Sequence, residues 1–390
     1  MQRNDVAEIW RQASGYDRSL RLPGARSGGA RETLLGVLRR KRLAPQTYSR
    51  PALFDAVAAV RPVVMRGVSV PVAGSTREVA AAAGGRATLH AHAPALVPAL
   101  VAALIRGFGD QPCARAQVGP QRVRRALTMP ELMRRWASGR HLVSVTDLHV
   151  RGTPLARQID TRELSRFNLL PLGNDAMRRQ EMMTLVVASA GNVTDSHSDD
   201  PDGSNHCFVG RKLWLAWDTF EGQRAGLQDC EREPVRGQAR FSMERFCALP
   251  SACWWTVESG QTLFLPGRFT HKVITLEPYI GIGSFYVTPA SCLDSLSRWY
   301  THGPLWSQDD PEGDNDGLVD RIANAMSRRL SRLPEAQTDR RDAWGLGHAG
   351  QGLRTWQRRW PRAQCEALLA EHPPLRRLVA TLQATGDRTA

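Results

Sequence analysis

The apolar and polar positions divide the first half of the chain into short, mixed elements. Residues 1–50 are basic and contain one helical segment, around Arg31–Arg42. From residue 51, the pattern predicts a short helix in PALFDAV and a buried strand in RPVVMRGVSVPVAG. The apolar block 94–107 predicts a helix. TMPELMRRWASGR predicts another, because Thr128 and Glu131 form a capping-box pattern, and HLVSVTDLHV after it alternates as a strand does.

From about residue 180 the pattern becomes mainly β. Apolar runs separated by Gly, Pro and Asp turns predict six strands, in MMTLVVASA, CFVGRKLWLAWD, ACWWTVES, QTLFLPG, HKVITLE and IGIGSFYVT. Many short strands without intervening helices favour an antiparallel sandwich or barrel. After Pro289 the texture turns helical. We therefore expect a basic N-terminal helical extension (1–50), a β-rich domain (51–290) with its core at 180–290, and a helical C-terminal region (291–390).

The composition is that of an ordinary globular protein, with 390 residues, 42% hydrophobic and 23% charged. The start has no signal-peptide core, and no apolar run is long enough to span a bilayer. We therefore expect a cytoplasmic protein that does not insert into membranes. The seven cysteines include no C-x-x-C pair, which favours reduced thiols over a zinc site or a disulfide framework.

The net charge of +14 would by itself favour an acidic partner such as nucleic acid. The basic residues are almost all arginine and are spread over the whole length, which is typical of coding bias. The clusters Arg39–Arg42, Arg122–Arg125 and Arg328–Arg329 lie in segments with helical periodicity, where a solvated basic face is the usual explanation. A nucleic-acid substrate therefore remains a lesser alternative.

The candidate chemistry lies in NVTDSHSDDPDGSNHCFVGRKLWLAWD and in GQTLFLPGRFTHKV further on. His197 and Asp199 are two residues apart, so on an extended strand both side chains point to the same face. His271 opens a later strand and could complete a set of two histidines and one carboxylate. Such a set leaves coordination positions open and suits Fe(II). Because the loop DDPDGSNH follows this pair, we expect the pair at the end of a strand, where binding sites usually form.

Lys212 lies in the otherwise apolar strand FVGRKLWLAW, where a lysine is costly unless it is paired. We therefore expect Lys212 to reach inward and hold a carboxylate. His206 is a second candidate ligand, but its Gly/Asp-rich surroundings predict a loop or substrate-facing position. Asp200 and Asp202 could replace Asp199, although the spacing favours Asp199 and both fit turn positions.

In order and spacing these residues resemble the Jumonji C (JmjC) oxygenases, which are Fe(II)- and 2-oxoglutarate-dependent enzymes with a double-stranded β-helix (jelly-roll, or cupin) fold. The resemblance covers roughly residues 180–290. It rests on Thr194 three residues before His197, the His-x-Asp pair, Gly-Arg-Lys ahead of a hydrophobic strand, and Pro-Gly-x-x-x-His. A weaker likeness reaches back to Pro62–Gly67. The resemblance implies a mainly β core of this type with flanking helices and a helical C-terminal region.

The resemblance also implies roles for single residues. His197, Asp199 and His271 would bind Fe(II). Lys212 and Thr194 would bind the far carboxylate of the co-substrate 2-oxoglutarate, and dioxygen would take an open iron position. Ser284 falls where many members carry a polar residue near the co-substrate.

The chain departs from the family pattern in the loop expected to contact the co-substrate or the substrate. Many members have Asn nine residues before the lysine, where this chain has Gly203, with Asn205 two residues later.

The implied activity is hydroxylation of a C–H bond, with a protein or peptide side chain as the leading substrate. The acidic loop after His197 would favour a cationic group. The alternatives are a small-molecule hydroxylase, an N-methyl-lysine demethylase and a non-catalytic metal-binding cupin. In the C-terminal region, aromatic residues favour helices packed within the monomer, with a homodimer interface as the alternative; they are Trp299, Tyr300, Trp306, Trp356 and Trp360.

Overall fold

A large mixed sheet forms the centre of the molecule in the computed structural model. The described residues are 5–22, 28–70, 72, 93–109, 112–119, 123–150, 153–157, 159–165, 167–170, 184–199, 201–227, 241–302, 317–332 and 346–386. In them the sheet has eleven strands. The strands are β1 Gln46–Thr47, β2 Val63–Arg66, β3 Pro112–Val118, β4 Val123–Thr128, β5 Val143–His149, β6 Thr184–Ala188, β7 Val193–Ser198, β8 Asp202–Asp218, β9 Cys253–Glu258, β10 Gln261–Leu265 and β11 Phe269–Tyr286.

Two long antiparallel strands, β8 and β11, organise this sheet. The first half of β11 lies between β7 and the second half of β8, which also pairs with β9. The second half of β11 lies between β6 and the first half of β8, which also pairs with β10. The sheet therefore contains two four-stranded groups that share β8 and β11. Beyond them, β2 and β1 extend one edge, and β5, β3 and β4 extend the other.

Both long strands bend where one group passes into the other. Gly210 in β8 has φ +90°, and a Cβ on it would collide with the backbone of Pro278 in β11. The pairing of β8 with β11 shifts register between Thr275 and Gly281. The sequence pattern predicted two strands here, HKVITLE and IGIGSFYVT. The structure has one strand that passes through Pro278, because a bend tolerates a residue without a backbone N–H.

One buried cluster, here called the interior cluster, joins the two groups of strands. It takes side chains from β6, β8 and β10 in one group and from β8, β9 and β11 in the other, so the two groups face each other across it. Its members are Val60, Val64, Val186, Ala188, Cys207, Trp214, Ala216, Cys253, Trp255, Val257, Leu263, Leu265, Phe269, Val273 and Tyr279. We call the strand faces that carry these residues the inner face and the opposite faces the outer face.

Helices cover the outer face of the sheet, and further helices form the C-terminal part of the chain. They are α1 Val6–Tyr16, α2 Gly28–Lys41, α3 Arg50–Ala58, α4 Ala93–Phe108, α5 Met129–Ser138, α6 Arg162–Ser165, α7 Thr219–Arg224, α8 Met243–Ala248, α9 Cys292–His302, α10 Leu318–Arg332, α11 Ala349–Arg359, α12 Arg362–Glu371 and α13 Pro373–Gly386. The N-terminal helices pack on the outer face, where Trp10 of α1 meets Trp254 of β9 edge to face.

The C-terminal helices share a core of their own. Trp299, Trp356 and Trp360 are buried in it, so these rings pack within the chain. Of the other two aromatic residues of the prediction, Trp306 lies outside the described residues, as does the side chain of Tyr300. The combination of a β core with flanking helices and a helical C-terminal region is as predicted. In the described ranges, no helix is long and apolar enough to cross a membrane.

Two further local predictions were wrong and one was confirmed. The cluster Arg122–Arg125 was expected on a helix, but the described part of it begins β4 at the edge of the sheet. The loop expected at DDPDGSNH is a strand from Asp202 onward, because pairing with both β10 and β11 outweighs the turn-forming composition. The capping box of Thr128 and Glu131 opens α5 as expected, with both of its hydrogen bonds formed.

Candidate metal centre

His197, Asp199 and His271 converge at one end of the strand pair β7–β11. His197 and His271 lie directly opposite each other in the register of the two strands, and Asp199 follows one residue after the end of β7. The candidate ligand atoms of the three side chains all lie within 4.8 Å of one another. The Nε2 atom of His197 is 3.9 Å from one Asp199 oxygen, and the Nε2 atom of His271 is 3.5 Å from the other.

Backbone carbonyls hold both imidazole rings in a ligand-ready orientation. The Nδ1 of His197 is 2.8 Å from the Asp195 carbonyl, and the Nδ1 of His271 is 3.2 Å from the Phe269 carbonyl. Because a carbonyl oxygen can only accept, each Nδ1 donates its proton, which leaves each Nε2 with a free lone pair when the ring is neutral. Burial and the neighbouring His197 keep the pKa of His271 well below its usual value, so this ring is neutral at physiological pH.

The centre is half open to solvent. His271 is 2% exposed, whereas His197 and Asp199 are 33% and 35% exposed. One candidate ligand is therefore anchored in the core, while the other two are accessible to solvent.

A β-bulge decides which side chains of β7 share the inner face. His197 pairs with His271, but Thr194 rather than Asp195 pairs with Val273, so β7 has one extra residue opposite Lys272. Without the bulge, the period of two would place Thr194 on the face opposite to His197. The bulge brings Thr194 to the inner face and turns Asp195 to the outer face.

Lys212 lies on the inner face of β8, set back from the histidines. In the register with β11, Ala216 is opposite His271, and Lys212 is two inner-face positions earlier in β8. Lys212 is 5% exposed, and its ammonium lies 4.3 Å from the centre of the Tyr279 ring. Burial lowers the pKa of Lys212 to about 8. Within the described ranges, this ammonium has no hydrogen bond and no ion pair.

Two tryptophans with buried indole N–H groups occupy register positions between Lys212 and His271. Trp214 is the inner-face residue between Lys212 and Ala216, and its ring centre is 5.3 Å from that of His271. Trp255 of β9 pairs with Trp214. In the part of the chain that the structure describes, neither Nε1–H has an acceptor. A buried donor without an acceptor costs roughly 1–3 kcal/mol, so two such donors beside an unpaired ammonium mark a region that suits an anion.

The residues that precede Lys212 on β8 lie partly on the inner face and partly on the outer face. Gly203 and Asn205 are on the inner face, and Asn205 accepts a hydrogen bond from the Tyr279 hydroxyl. Ser284 pairs with Ser204 and so lies on the opposite face of β11, where Ile282 joins another core cluster. The structure therefore brings Thr194 and Lys212 to the same face as the histidines and does not bring Ser284 there.

The remaining candidate ligands occupy structural positions. His206 is buried on the face opposite to Asn205, and its Nδ1 is 2.8 Å from the Thr262 hydroxyl. Burial lowers the pKa of His206 to about 3, so it is a neutral core residue. Asp200 lies outside the described residues.

Asp202 links the chain after Asp199 to the turn before His271. Its side chain is buried and accepts a hydrogen bond of 3.0 Å from the Gly267 backbone N–H. A Cβ on Gly267 would lie 2.6 Å from the Pro201 backbone, so only glycine allows the two segments to approach this closely. Burial raises the pKa of Asp202 to about 6. The acidic loop therefore does not present Asp202 to a bound molecule.

Sequence reasoning missed Trp214, Trp255 and Tyr279. Trp214 carried a usable signal, since a residue two positions after Lys212 must share its face. Trp255 and Tyr279 carried none, because their places depend on the pairing of β9 with β8 and on the bend of β11. In comparison with known proteins, no family model matches this chain and no curated protein matches it significantly in sequence.

Proposed function

We propose that this protein is an Fe(II)- and 2-oxoglutarate-dependent oxygenase that hydroxylates a C–H bond. The observation that carries the proposal is the convergence of two histidines and one carboxylate on one face, together with a buried lysine to which the described residues offer no counter-charge. Each of these two features supports one component of the proposed reaction. The triad suits the metal, and the lysine suits an anionic co-substrate.

The donor set fits Fe(II). Two imidazoles and one carboxylate form the two-histidine, one-carboxylate set of non-haem iron oxygenases, which leaves open positions for other ligands. Both rings already have Nδ1 engaged by a backbone carbonyl, as metal-ligating histidines usually do. His197, Asp199 and His271 would hold the ion. When bound, Fe(II) would supply the redox chemistry that couples dioxygen and 2-oxoglutarate to hydroxylation.

The donor groups of the interior suit an anionic co-substrate. A charged, buried ammonium is costly without a partner, and a carboxylate beside Lys212 would remove most of that cost. The indole N–H groups of Trp214 and Trp255 are further donors in the same region. Thr194 offers a hydroxyl on the same face. A dicarboxylate held near the histidines at one end would direct its other end towards Lys212.

The strand arrangement supports a double-stranded β-helix of the JmjC type. Two four-stranded groups face each other across one interior cluster, and each of the two central strands belongs to both groups. This is the arrangement expected of a jelly-roll with its site at one open end.

In this proposal the protein's own residues bind and orient the metal and the co-substrate, and they exclude water. His271 is anchored in the core, and the carbonyls of Asp195 and Phe269 fix the two rings. Lys212 provides the positive charge that selects an anion. The packed rings of Trp214 and Trp255 keep bulk water from the inner side of the centre. A protein or peptide side chain remains the proposed substrate, reached through the half-open mouth at His197 and Asp199.

The test measures succinate formed from 2-oxoglutarate by the purified full-length chain, with and without Fe(II). We expect Fe(II)-dependent succinate that is lost in Asp199→Ala, and a raised requirement for 2-oxoglutarate in Lys212→Ala. A mass spectrum of candidate peptides and of cell extract would then identify the molecule that gains about 16 Da, the mass of the one inserted oxygen. If Asp199→Ala and Lys212→Ala both consumed 2-oxoglutarate like the parent, the assignment would be wrong. Fe(II) binding without any succinate would favour a non-catalytic metal-binding cupin.

A further inference from the structure

A buried lysine on the outer face links the N-terminal segment to both histidine-bearing strands. Lys272 is adjacent to His271, so its side chain points to the opposite face of β11. It is 4% exposed. Its ammonium lies 2.9 Å from a carboxylate oxygen of Asp195 on β7 and 2.9 Å from one of Asp17 in the N-terminal segment. We call this group the Asp17–Lys272–Asp195 bridge.

The Asp17–Lys272–Asp195 bridge contacts β7 at the β-bulge of that strand. The extra residue of β7 lies opposite Lys272, and this places the Asp195 side chain on the outer face within reach of the ammonium. The backbone carbonyl of the same Asp195 accepts the Nδ1 hydrogen bond of His197. The residue whose side chain Lys272 holds is therefore the residue whose backbone orients a candidate metal ligand.

Asp17 is itself fixed by local structure. It ends α1 and begins the short 3₁₀ helix Arg18–Leu20, and its side chain accepts a hydrogen bond of 2.8 Å from the Ser19 backbone N–H. Burial alone would raise the pKa of Asp17, but the Lys272 ammonium and the hydrogen bonds from Ser19 lower it below its usual value. The carboxylate is therefore charged at neutral pH.

The helix that carries Asp17 is firmly seated on the sheet. Ile9 and Trp10 of α1 are buried against the outer-face residues of β8 and β11. The Gln12 side-chain amide donates a hydrogen bond of 2.8 Å to the Leu276 carbonyl. Asp17 thus reaches Lys272 from a second rigid element rather than from a loose terminus.

We propose that the N-terminal segment is a working part of the metal centre, in which Lys272 and Asp17 are positioning residues that hold the β7 bulge and thereby aim His197. This inference rests on the proposed metal site and not on the co-substrate or the substrate. Groups that hydrogen-bond directly to a metal ligand change metal affinity about 10–100-fold when they are removed, and Lys272 acts through such a group, the Asp195 carbonyl.

The test measures Co(II) affinity of the full-length chain by the visible absorption of the bound ion, together with thermal unfolding. Lys272→Met removes the charge and keeps the length of the side chain. We expect it to weaken Co(II) binding about tenfold or more and to change the ligand-field spectrum. Lys272→Arg should recover most of the affinity. The matched control is Glu277→Gln, which removes another outer-face ion pair on β11, with Arg211, that does not touch β7; it should stay within about twofold of the parent.

The outcomes separate this inference from the proposed function. A folded Lys272→Met that binds Co(II) with parental affinity and spectrum, and differs only in melting temperature, overturns the inference and leaves the metal site intact. A parent chain that binds neither Co(II) nor Fe(II) overturns the proposed function and this inference with it. Should Lys272→Met fail to fold, Asp17→Asn decides the question, because it weakens the bridge from outside the sheet; parental affinity in that variant would overturn the inference.

Discussion

His197 and His271 face each other across β7 and β11, with ring centres 4.2 Å apart. The Asp199 carboxylate lies within 4 Å of both Nε2 atoms, and each ring is held from behind by a backbone carbonyl. The three groups thus need little rearrangement to share an ion. A pre-formed donor set of this kind should bind metal without the co-substrate.

Asp199→Ala should abolish tight metal binding, because it removes the single anionic donor of the set. We expect Fe(II) or Co(II) affinity to fall by about 100-fold or more. Removing a residue that only hydrogen-bonds to a metal ligand lowers the affinity at most about that much, and Asp199 would be a ligand itself. Anaerobic titration of both metals measures this. Ser198→Ala, which changes the neighbouring residue of β7 and no donor, is the control. Equal affinity in the two variants would remove Asp199 from the centre.

Lys212→Met should stabilise the ligand-free protein while weakening 2-oxoglutarate binding. Among the described residues this buried charge has no ion pair, so an apolar side chain of similar length should increase the free energy of unfolding by roughly 1–3 kcal/mol. Thermal unfolding should show a rise of a few degrees, and the addition of 2-oxoglutarate with a redox-inert metal should stabilise only the parent. A variant less stable than the parent would indicate that Lys212 already has a favourable partner.

The stabilisation from Lys212→Met should depend on pH. The pKa of Lys212 is about 8 in the folded chain and near the model-peptide value of 10.5 when unfolded. Between these values the unfolded chain binds more protons at this residue, so the burial cost is full below about pH 8 and is relieved as the pH rises towards 10.5. The difference in unfolding free energy between Lys212→Met and the parent should therefore shrink over this range. Denaturant unfolding at pH 7, 9 and 10 measures that difference, and a constant difference would contradict the depressed pKa.

Gly267→Ala should destabilise the protein and disturb the metal centre. Its Cβ would meet the Pro201 backbone, which cannot rotate away as a side chain could. We expect a loss of roughly 1–3 kcal/mol in unfolding free energy, together with weaker Co(II) binding, since Pro201 lies two residues after Asp199. Gly15→Ala is the matched control: its Cβ in α1 meets nothing within 4 Å, so alanine should be neutral or slightly stabilising. A parental melting temperature in Gly267→Ala would show that the two segments have room to separate.

Spacing and alternation were enough to predict the triad and the inward direction of Lys212. The pair His197 and Asp199 and the scarcity of lysine were visible in the sequence, and the structure brings those residues to one face. Ser284 was assigned by resemblance alone, and its face follows from a register that the sequence does not encode locally. The position of Thr194 depends on a bulge, which shifts the alternation by one residue without any turn-forming signature.

Long-range pairing explains the other differences from the sequence prediction. Asp202–His206 has the composition of a loop but becomes a strand because partners on both sides complete its hydrogen bonds. The bend at Pro278 joins two predicted strands into one. Tyr279, placed by that bend, then lies over Lys212. Each of these contacts joins residues far apart in the chain, so local periodicity could not reveal them.

The shared strands β8 and β11 limit how this molecule can admit a ligand. Because each runs from one four-stranded group into the other, the two groups can separate only by flexing both strands at the same bend, near Gly210 and Pro278. If an anion binds Lys212 as proposed, His197 and Asp199, the two exposed members of the triad, mark the side from which it would enter. On the proposed function, 2-oxoglutarate would then have to enter before a substrate covers that side.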